Sequence, residues 1–126
     1  MKTVLVVDDE FDLTSTLKAV LEDRGYRTCV CATGRETIDC LRHTRPDLIL
    51  LDVMIPLGSG YTVLDRVRAT ADLAGTPVVL MNNVPPPADR AVRWQAFIRK
   101  PLSLAAVVEA VEKLIGPGAS AGREVT

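Results

Sequence analysis

Residues 4–9 read Val-Leu-Val-Val-Asp-Asp, and residues 48–52 repeat the pattern as Leu-Ile-Leu-Leu-Asp. Short apolar runs without alternating polar residues are typical of strands that are buried on both faces of a parallel sheet. In open α/β sheets, the binding crevice lies at the carboxyl ends of the strands. If the two runs are neighbouring parallel strands, Asp8, Asp9 and Asp52 therefore converge in that crevice.

Three carboxylates at one place need a compensating cation. Two unit charges about 4 Å apart repel each other by roughly 4 kcal/mol at an effective dielectric constant near 20. Because Mg²⁺ prefers hard oxygen ligands, the cluster predicts a magnesium site. Lys100 follows a short run at residues 96–99 that reads as the last strand, and it precedes Pro101. Its ammonium could bind an anion held next to the metal.

The rest of the chain alternates strands and helices. The apolar runs and the helical stripes predict strands at residues 3–7, 27–31, 48–51, 77–81 and 96–99, with helices at 11–24, from Thr33 to a point before Pro46, at 60–68 and at 103–114. Thr33 and Glu36 have the spacing of a capping box, and Ser103 is the expected N-cap of the final helix. Strands joined by crossover helices predict a doubly wound parallel sheet.

The acid pair, the central Asp52 and the late Lys100-Pro101, in this order and at these separations, resemble the response-regulator receiver domains. The resemblance runs from about residue 3 to residue 115. It implies a single five-stranded parallel sheet of the flavodoxin-like (CheY-like) type with strand order 2-1-3-4-5. We therefore expect a receiver domain over residues 1–116, followed by a flexible tail or the start of a linker at residues 117–126.

The resemblance also implies roles for the clustered residues. Asp52 would be the nucleophile that accepts a phosphoryl group from the phosphohistidine of a sensor histidine kinase or a phosphotransfer protein. Asp9 and Asp52 would bind Mg²⁺ directly and Asp8 through water, while the backbone carbonyl of Met54 would supply another oxygen. Lys100 would bind a phosphoryl oxygen, and in the resting site it would form an ion pair with Asp52 or Asp9.

The segment between the fourth and fifth strands departs from the family pattern. Receivers usually place Ser or Thr at the end of strand four, where this chain has Asn82. The amide of Asn82 could donate a hydrogen bond to the phosphate, but it has no hydroxyl rotor. The run Val84-Pro85-Pro86-Pro87 follows, which leaves only residues 88–95 for a helix and predicts that helix four is short, displaced or absent. The aromatic residue of strand five is present as Phe97.

Composition is consistent with one cytoplasmic domain. The chain has 126 residues, 48% of them hydrophobic, and a formal net charge of −1. No apolar run approaches the length of a membrane span, and the N-terminus has no signal-peptide pattern. The odd number of cysteines without a CxxC pair predicts neither a disulfide framework nor a zinc site, and Cys29 and Cys31 are expected to be small buried hydrophobes.

Two functions from different classes remain open on the sequence. The first is a phosphoacceptor that catalyses its own phosphorylation and dephosphorylation; the second is a phosphate-independent scaffold, which Asn82 and the proline run favour. A dehalogenase-type phosphatase would need an Asp-x-Asp motif that residues 8–10 do not supply. We expect a downstream protein target, no direct nucleic-acid contact and no membrane insertion. The chain should be a monomer, or a weak dimer that does not use helix four.

Overall fold

The computed structural model describes residues 1–87 and 93–118. Among them are five strands, namely β1 (Thr3–Val7), β2 (Arg27–Cys31), β3 (Leu48–Asp52), β4 (Val78–Asn82) and β5 (Ala96–Arg99). The same residues contain four helices, namely α1 (Phe11–Asp23), α2 (Gly34–Leu41), α3 (Gly60–Ala69) and α4 (Leu104–Ile115). The strands form one parallel sheet in the order β2-β1-β3-β4-β5, which confirms the predicted fold and strand order.

The register of the central strands brings their acidic ends together. Val7 of β1 is paired with Leu51 of β3, so Asp8 and Asp52 follow at the same edge of the sheet. On the other side of β3, Asp52 is paired with Met81 of β4. The site therefore lies at the carboxyl ends of adjacent strands, as expected for an open α/β sheet.

The unbroken apolar runs are explained by two cores, one on each face of the sheet. Leu5, Val7, Ile49 and Leu51 pack with residues of α2 and α3 on one face. Their neighbours in sequence point to the other face and pack with residues of α1 and α4; these neighbours include Val4, Val6, Leu48 and Leu50. Because successive side chains of a strand point to opposite faces, a strand covered on both sides needs an apolar residue at every position.

The helix starts follow the predicted capping pattern, with one difference. The Thr33 hydroxyl accepts a hydrogen bond from the Glu36 amide at 3.0 Å, and the Ser103 hydroxyl accepts one from the Ala106 amide at 3.2 Å. The Glu36 carboxylate accepts from the backbone of Ala32, one residue before the position that a capping box uses. The starts of α2 and α4 thus have side-chain caps, whereas α1 begins after Glu10 without one. Each of the four described helices begins within one residue of its predicted start.

The region between β4 and β5 is only partly described. The prediction of a short, displaced or absent helix falls mainly on residues 88–92, which lie outside the described residues. Residues 83–87 and 93–95, on either side, contain no α-helix. Among the described residues, the fourth helix is α4, which follows β5.

Arg68 of α3 holds the segment that enters β5. Its guanidinium donates hydrogen bonds to the backbone oxygens of Arg93 (2.9 Å) and Thr76 (2.8 Å), and to the side-chain oxygen of Gln95 (2.9 Å). The same Gln95 oxygen accepts from the amide of Val78 at 2.7 Å. One cation thus connects α3, the start of β4 and the start of β5, and the sequence analysis gave it no role.

Two of the expectations from composition can be compared with the structure. Cys31 is buried, whereas Cys29 and Cys40 are half-buried against the same core, and all three thiols are free. Burial raises the pKa of the Cys31 thiol to about 12, and the neighbouring Cys40 acts in the same direction, so Cys31 stays a neutral thiol. None of the helices that the structure describes is both long and apolar enough to cross a bilayer.

The close contact between Gly60 and the backbone at the end of β3 can be tested by substitution. A Cβ atom added at Gly60 would lie 2.5 Å from the backbone oxygen of Asp52 and 2.7 Å from the Cα of Val53. We expect Gly60→Ala to lower the free energy of unfolding by about 1–3 kcal/mol, because α3 must move away from the end of β3. Urea denaturation measures this change.

Gly75→Ala is the matched control, since a Cβ there meets no heavy atom within 4 Å. It should leave stability unchanged or raise it by up to about 1 kcal/mol through the unfolded chain. Equal effects of the two substitutions would contradict the close approach at Gly60.

Candidate functional site

Three carboxylates meet at the carboxyl edge of the sheet. Asp8 and Asp9 follow β1, and Asp52 ends β3; one oxygen from each lies within 4.8 Å of the others. Asp8 is 1% exposed and Asp52 is 3% exposed, whereas Asp9 faces solvent. The predicted convergence of the three acids is therefore present, with two members buried and one open to water.

Lys100 lies between the two buried acids. Its Nζ is 2.7 Å from Asp8 Oδ2 and 3.3 Å from Asp52 Oδ2, and its side chain is only 15% exposed. Glu10 contributes a longer contact of 3.7 Å. The Lys100 amide donates to the backbone oxygen of Asn82 at 2.8 Å, which continues the β4–β5 ladder to the Lys100 position.

The predicted ion pair of Lys100 with Asp52 or Asp9 is present with Asp52. The second partner is Asp8, because the Asp8 carboxylate turns inward beside β3 while that of Asp9 points to solvent. A buried carboxylate has little access to water, so it depends on a nearby cation more than an exposed carboxylate does. The Lys100 ammonium therefore pairs with Asp8 and Asp52.

Backbone amides hold the remaining carboxylate oxygens. The Met54 amide donates to Asp52 Oδ1 at 3.1 Å, and the Glu10 amide donates to Asp8 Oδ1 at 2.9 Å. Each buried acid thus has one oxygen on a backbone N–H and the other next to Lys100. The contribution of the Met54 carbonyl to a metal site stays a prediction, whereas the contact of Glu10 with Asp8 was not predicted. The position of Glu10 directly after the acid pair was the available signal.

Burial and ion pairing have opposite effects on the pKa values of Asp52 and Lys100. Burial raises the pKa of Asp52, and the nearby Asp8 charge acts in the same direction, while the Met54 amide and Lys100 oppose this rise. For Lys100, burial alone would lower the pKa, but the hydrogen bond to Asp8 and the charge of Asp52 outweigh it, so the pKa is raised. Lys100 is therefore a firmly charged ammonium at neutral pH.

Asn82 and the aromatic residue of strand five, Phe97, lie in different surroundings. Asn82 ends β4, one residue after the partner of Asp52, and it is half-buried. Its side-chain oxygen accepts from the Asn83 amide at 2.9 Å, which ties that side of the group to its own loop. Phe97 is paired with Leu80 and packs, half-buried, in the core beneath α2 and α3.

Comparison with known proteins identifies the family. A family model of the response regulator receiver domain matches residues 4–112. The chain belongs to this family. Receiver domains interact with histidine kinases or phosphotransfer proteins, and they generally bind Mg²⁺ at an acidic site. The cluster of Asp8, Asp9 and Asp52 offers three carboxylate oxygens at the corresponding edge of the sheet, a donor set that fits this ion.

Relatives of different overall lengths share this domain. The polar-differentiation response regulator DivK of Brucella anthropi is 29% identical over 119 residues, which cover 91% of this chain and 97% of DivK. The probable transcriptional regulatory protein TcrX of Mycobacterium tuberculosis is 34% identical over 117 residues, which cover 90% of this chain but 49% of TcrX. The chain thus spans nearly all of one relative and about half of the other.

Solved structures agree with the fold. The signal receiver domain of a signal transduction histidine kinase from Syntrophus aciditrophicus superimposes with a TM-score of 0.81 at 33% identity, covering 91% of this chain and 90% of that one. The chemotaxis response regulator CheY4 of Vibrio cholerae gives a TM-score of 0.84 at 25% identity, with coverages of 90% and 98%. The two solved chains come from different kinds of signalling protein, so the match identifies the domain and not its output.

Removal of the Lys100 charge should lower the free energy of unfolding, because two buried acids lose their cation. Lys100→Met leaves Asp8 and Asp52 without their shared cation, so in metal-free buffer at neutral pH the free energy of unfolding should fall by about 3 kcal/mol. Urea denaturation gives the value. The control is Lys18→Met, which breaks an exposed pair with Glu22 and should cost below about 1 kcal/mol. A loss at Lys100 no larger than that at Lys18 would contradict the shared-cation role.

The raised pKa of Asp52 gives a pH dependence with a definite sign. The folded state binds the Asp52 proton more tightly than the unfolded chain, whose pKa is about 3.9, so the ionisation of Asp52 destabilises the fold as pH rises through the folded pKa. Asp52→Asn should therefore raise Tm relative to the wild type at pH 7, and this gain should shrink as pH falls towards 3.5. Thermal melts across this range measure it.

Glu109→Gln, on the exposed face of α4, serves as the control for this pH series. Its Tm difference from the wild type should stay small at every pH. A stabilisation by Asp52→Asn that grows as pH falls would have the wrong sign and would contradict the effect of burial on Asp52.

Proposed function

We propose that Asp52 accepts a phosphoryl group from a phosphohistidine, in a Mg²⁺-dependent reaction, and that the phosphorylated domain changes its contacts with a downstream protein. The observation that carries the proposal is the position of Asp52. It is a buried carboxylate at the end of β3, with the Lys100 ammonium 3.3 Å away and oxygens of Asp8 and Asp9 within 4.8 Å.

The residues divide the chemistry between them. An Asp52 carboxylate oxygen attacks the phosphorus, the phosphorus–nitrogen bond to the donor imidazole breaks, and its electron pair returns to the ring nitrogen. Asp8, Asp9 and Asp52 would hold Mg²⁺, which when bound offsets the negative charge of the acids and of the phosphoryl oxygens. The Met54 amide fixes Asp52 Oδ1, which leaves Oδ2 on the side of Lys100.

Lys100 is suited to receive the transferred group. An ammonium has three donors, and here two of them already point at Asp8 and Asp52. Once Asp52 carries the phosphoryl group, the same ammonium can donate to a phosphoryl oxygen without leaving its place in the site. Asn82, at the same edge, would donate from its amide nitrogen in place of the usual hydroxyl.

The phosphate-independent scaffold remains the second candidate. Asn82 cannot supply a rotating hydroxyl, and its oxygen is occupied by the Asn83 amide. Residues 84–87, Val-Pro-Pro-Pro, can be presented to a partner at low entropic cost. Both features favour contacts that do not depend on phosphorylation.

We also propose the bounds, the localisation and the assembly state of the domain. We place the receiver domain at residues 1–116, in the cytoplasm, with residues 117–126 as a tail or linker. Because the formal net charge is −1, these residues alone are expected to make no nucleic-acid contact, even though DNA-binding response regulators are among the similar proteins. The native assembly is proposed to be a monomer or a weak dimer.

Intact-mass spectrometry tests the phosphoacceptor proposal. The wild-type chain incubated with Mg²⁺ and either acetyl phosphate or phosphoramidate should gain one phosphoryl group. Asp52→Asn should abolish this gain. Removal of Mg²⁺ by EDTA should lower the rate of phosphorylation at least about 100-fold, because the ion stabilises the charge of the transferring group. The control variant Asp23→Asn, at an exposed acid, should react like the wild type. An unchanged wild-type mass with both donors would contradict the proposal and favour the scaffold.

A further inference from the structure

A groove runs between helices α2 and α3, on the side of the sheet away from α1 and α4. Its first stretch has a volume of about 410 Å³ and begins at Gly34 and Leu57, close to the site. Its second stretch, of about 390 Å³, continues to Leu73. The two stretches share Ile38, Arg42 and Arg66, so they form one continuous surface, which we call the α2–α3 groove.

The walls of the α2–α3 groove are strongly cationic. Of the described residues that line it, four are arginines and one, Asp39, is acidic; the arginines are Arg35, Arg42, Arg45 and Arg66. Arg42 forms an exposed pair with Asp39 at 3.5 Å, and Arg45 forms one with Asp72 at 3.6 Å. Within residues 1–87 and 93–118, no carboxylate lies at ion-pair distance from Arg35 or Arg66. A chain with a net charge of −1 thus concentrates free positive charge here.

The floor of the groove is aliphatic. Ile38, Val63 and Leu41 contribute to it from the two helices, and Leu57 projects from the loop after β3 with 64% of its surface exposed. Leu57 is held at a φ of 53°, a conformation that L-residues with side chains rarely adopt. Leu57 thus presents a large apolar side chain at the mouth of a cationic groove.

We propose that the α2–α3 groove is a docking site for an acidic amphipathic segment of a partner protein. The aliphatic side chains of such a segment would cover Ile38, Leu57 and Val63, and its carboxylates would pair with Arg35 and Arg66. Charge complementarity selects this partner, because two guanidiniums there have no carboxylate partner among the described residues. A nucleic acid fits less well, since no aromatic side chain lines the groove to stack on a base.

The loop after β3 connects the groove to Asp52. The Met54 amide is bonded to Asp52, and three residues later Leu57 forms the mouth of the groove. Between them, the Pro56 oxygen accepts from the Gly34 amide at 3.0 Å. A Cβ at Gly34 would lie 2.6 Å from the Leu57 oxygen, so α2 and the loop are in direct backbone contact. A change at Asp52 should therefore alter the affinity of the groove; this coupling, unlike the docking itself, rests on the proposed phosphorylation.

Fluorescence anisotropy with a labelled peptide tests the docking site. The probe is a synthetic helical peptide with Leu at i, i+3, i+4 and i+7 and Glu elsewhere, and its counterpart carries Lys in place of Glu. The Glu peptide should bind the wild-type chain, with an affinity that falls as salt rises, and the Lys peptide should not. The double variant Arg35→Glu, Arg66→Glu should weaken binding by at least about tenfold.

Matched variants distinguish binding at the α2–α3 groove from a general effect of net charge. Arg27→Glu with Lys113→Glu makes the same change of net charge on exposed residues away from the groove, and binding should stay within about twofold of the wild type. Leu57→Ala should weaken binding while leaving its salt dependence unchanged, because it removes apolar contact and no charge. Thermal melts of all variants confirm that each one is folded.

Three results would overturn docking at the groove. These are equal weakening by the two double variants, no effect of Leu57→Ala, or tighter binding of duplex DNA than of the Glu peptide. The coupling to Asp52 is tested on samples whose phosphorylation is verified by intact mass. Phosphorylated wild type should differ from unmodified protein in peptide affinity by at least about threefold, a change that Asp52→Asn should not show.

The phosphorylation of Asp52, docking at the groove and the coupling between them are contradicted by different results. A chain that takes up no phosphoryl group contradicts the proposed function, while the arginine variants still decide the docking site. A chain that is phosphorylated without any change in peptide affinity overturns the coupling and leaves the phosphoacceptor role intact.

Discussion

The ammonium of Lys100 between two buried carboxylates is the interaction on which the rest of the site depends. Asp8 and Asp52 belong to neighbouring strands, and Lys100 follows β5, which is separated from β3 by β4. The three side chains can meet only if all of these strands end at the same level. Since an unpaired charge in this position would be costly, the ion pairs oppose any slip in strand register. The site thus helps to specify the sheet that carries it.

The fold and the main site residues were predictable because they depend on local patterns. An unbroken apolar run can be satisfied only by cover on both faces, which two helical layers supply, and the acids that follow such runs must then lie at one edge. The strand order came from the family resemblance. The second partner of Lys100, Asp8, could not be predicted in this way, because the order of Asp8 and Asp9 along the chain does not say which one turns inward once the strand has ended.

Other features could not be predicted because they depend on contacts between distant segments. Arg68 reads in the sequence as a solvated residue near the end of α3, yet it bonds to backbone oxygens at Thr76 and Arg93 and to Gln95. Similarly, nothing in the letters around Leu57 indicates a positive φ, which arises where the loop after β3 meets Gly34 of α2. The prediction that helix four is short, displaced or absent concerns residues that lie largely outside the described ones, so it stays a prediction.

These tertiary contacts bear on how a change at Asp52 can travel. A route through the end of β4 would need a side chain that reorients towards the new phosphate, and Asn82 is planar, with its oxygen bonded to the Asn83 amide. The entry to β5 is also restrained, because Arg68 and Asp65 both hold residues 93–95 from α3. The loop after β3 is different in kind: its Met54 amide contacts Asp52 itself, and its Leu57 reaches the exposed α2–α3 groove. Coupling requires an element whose state both sites can bias, and this loop contacts both of them.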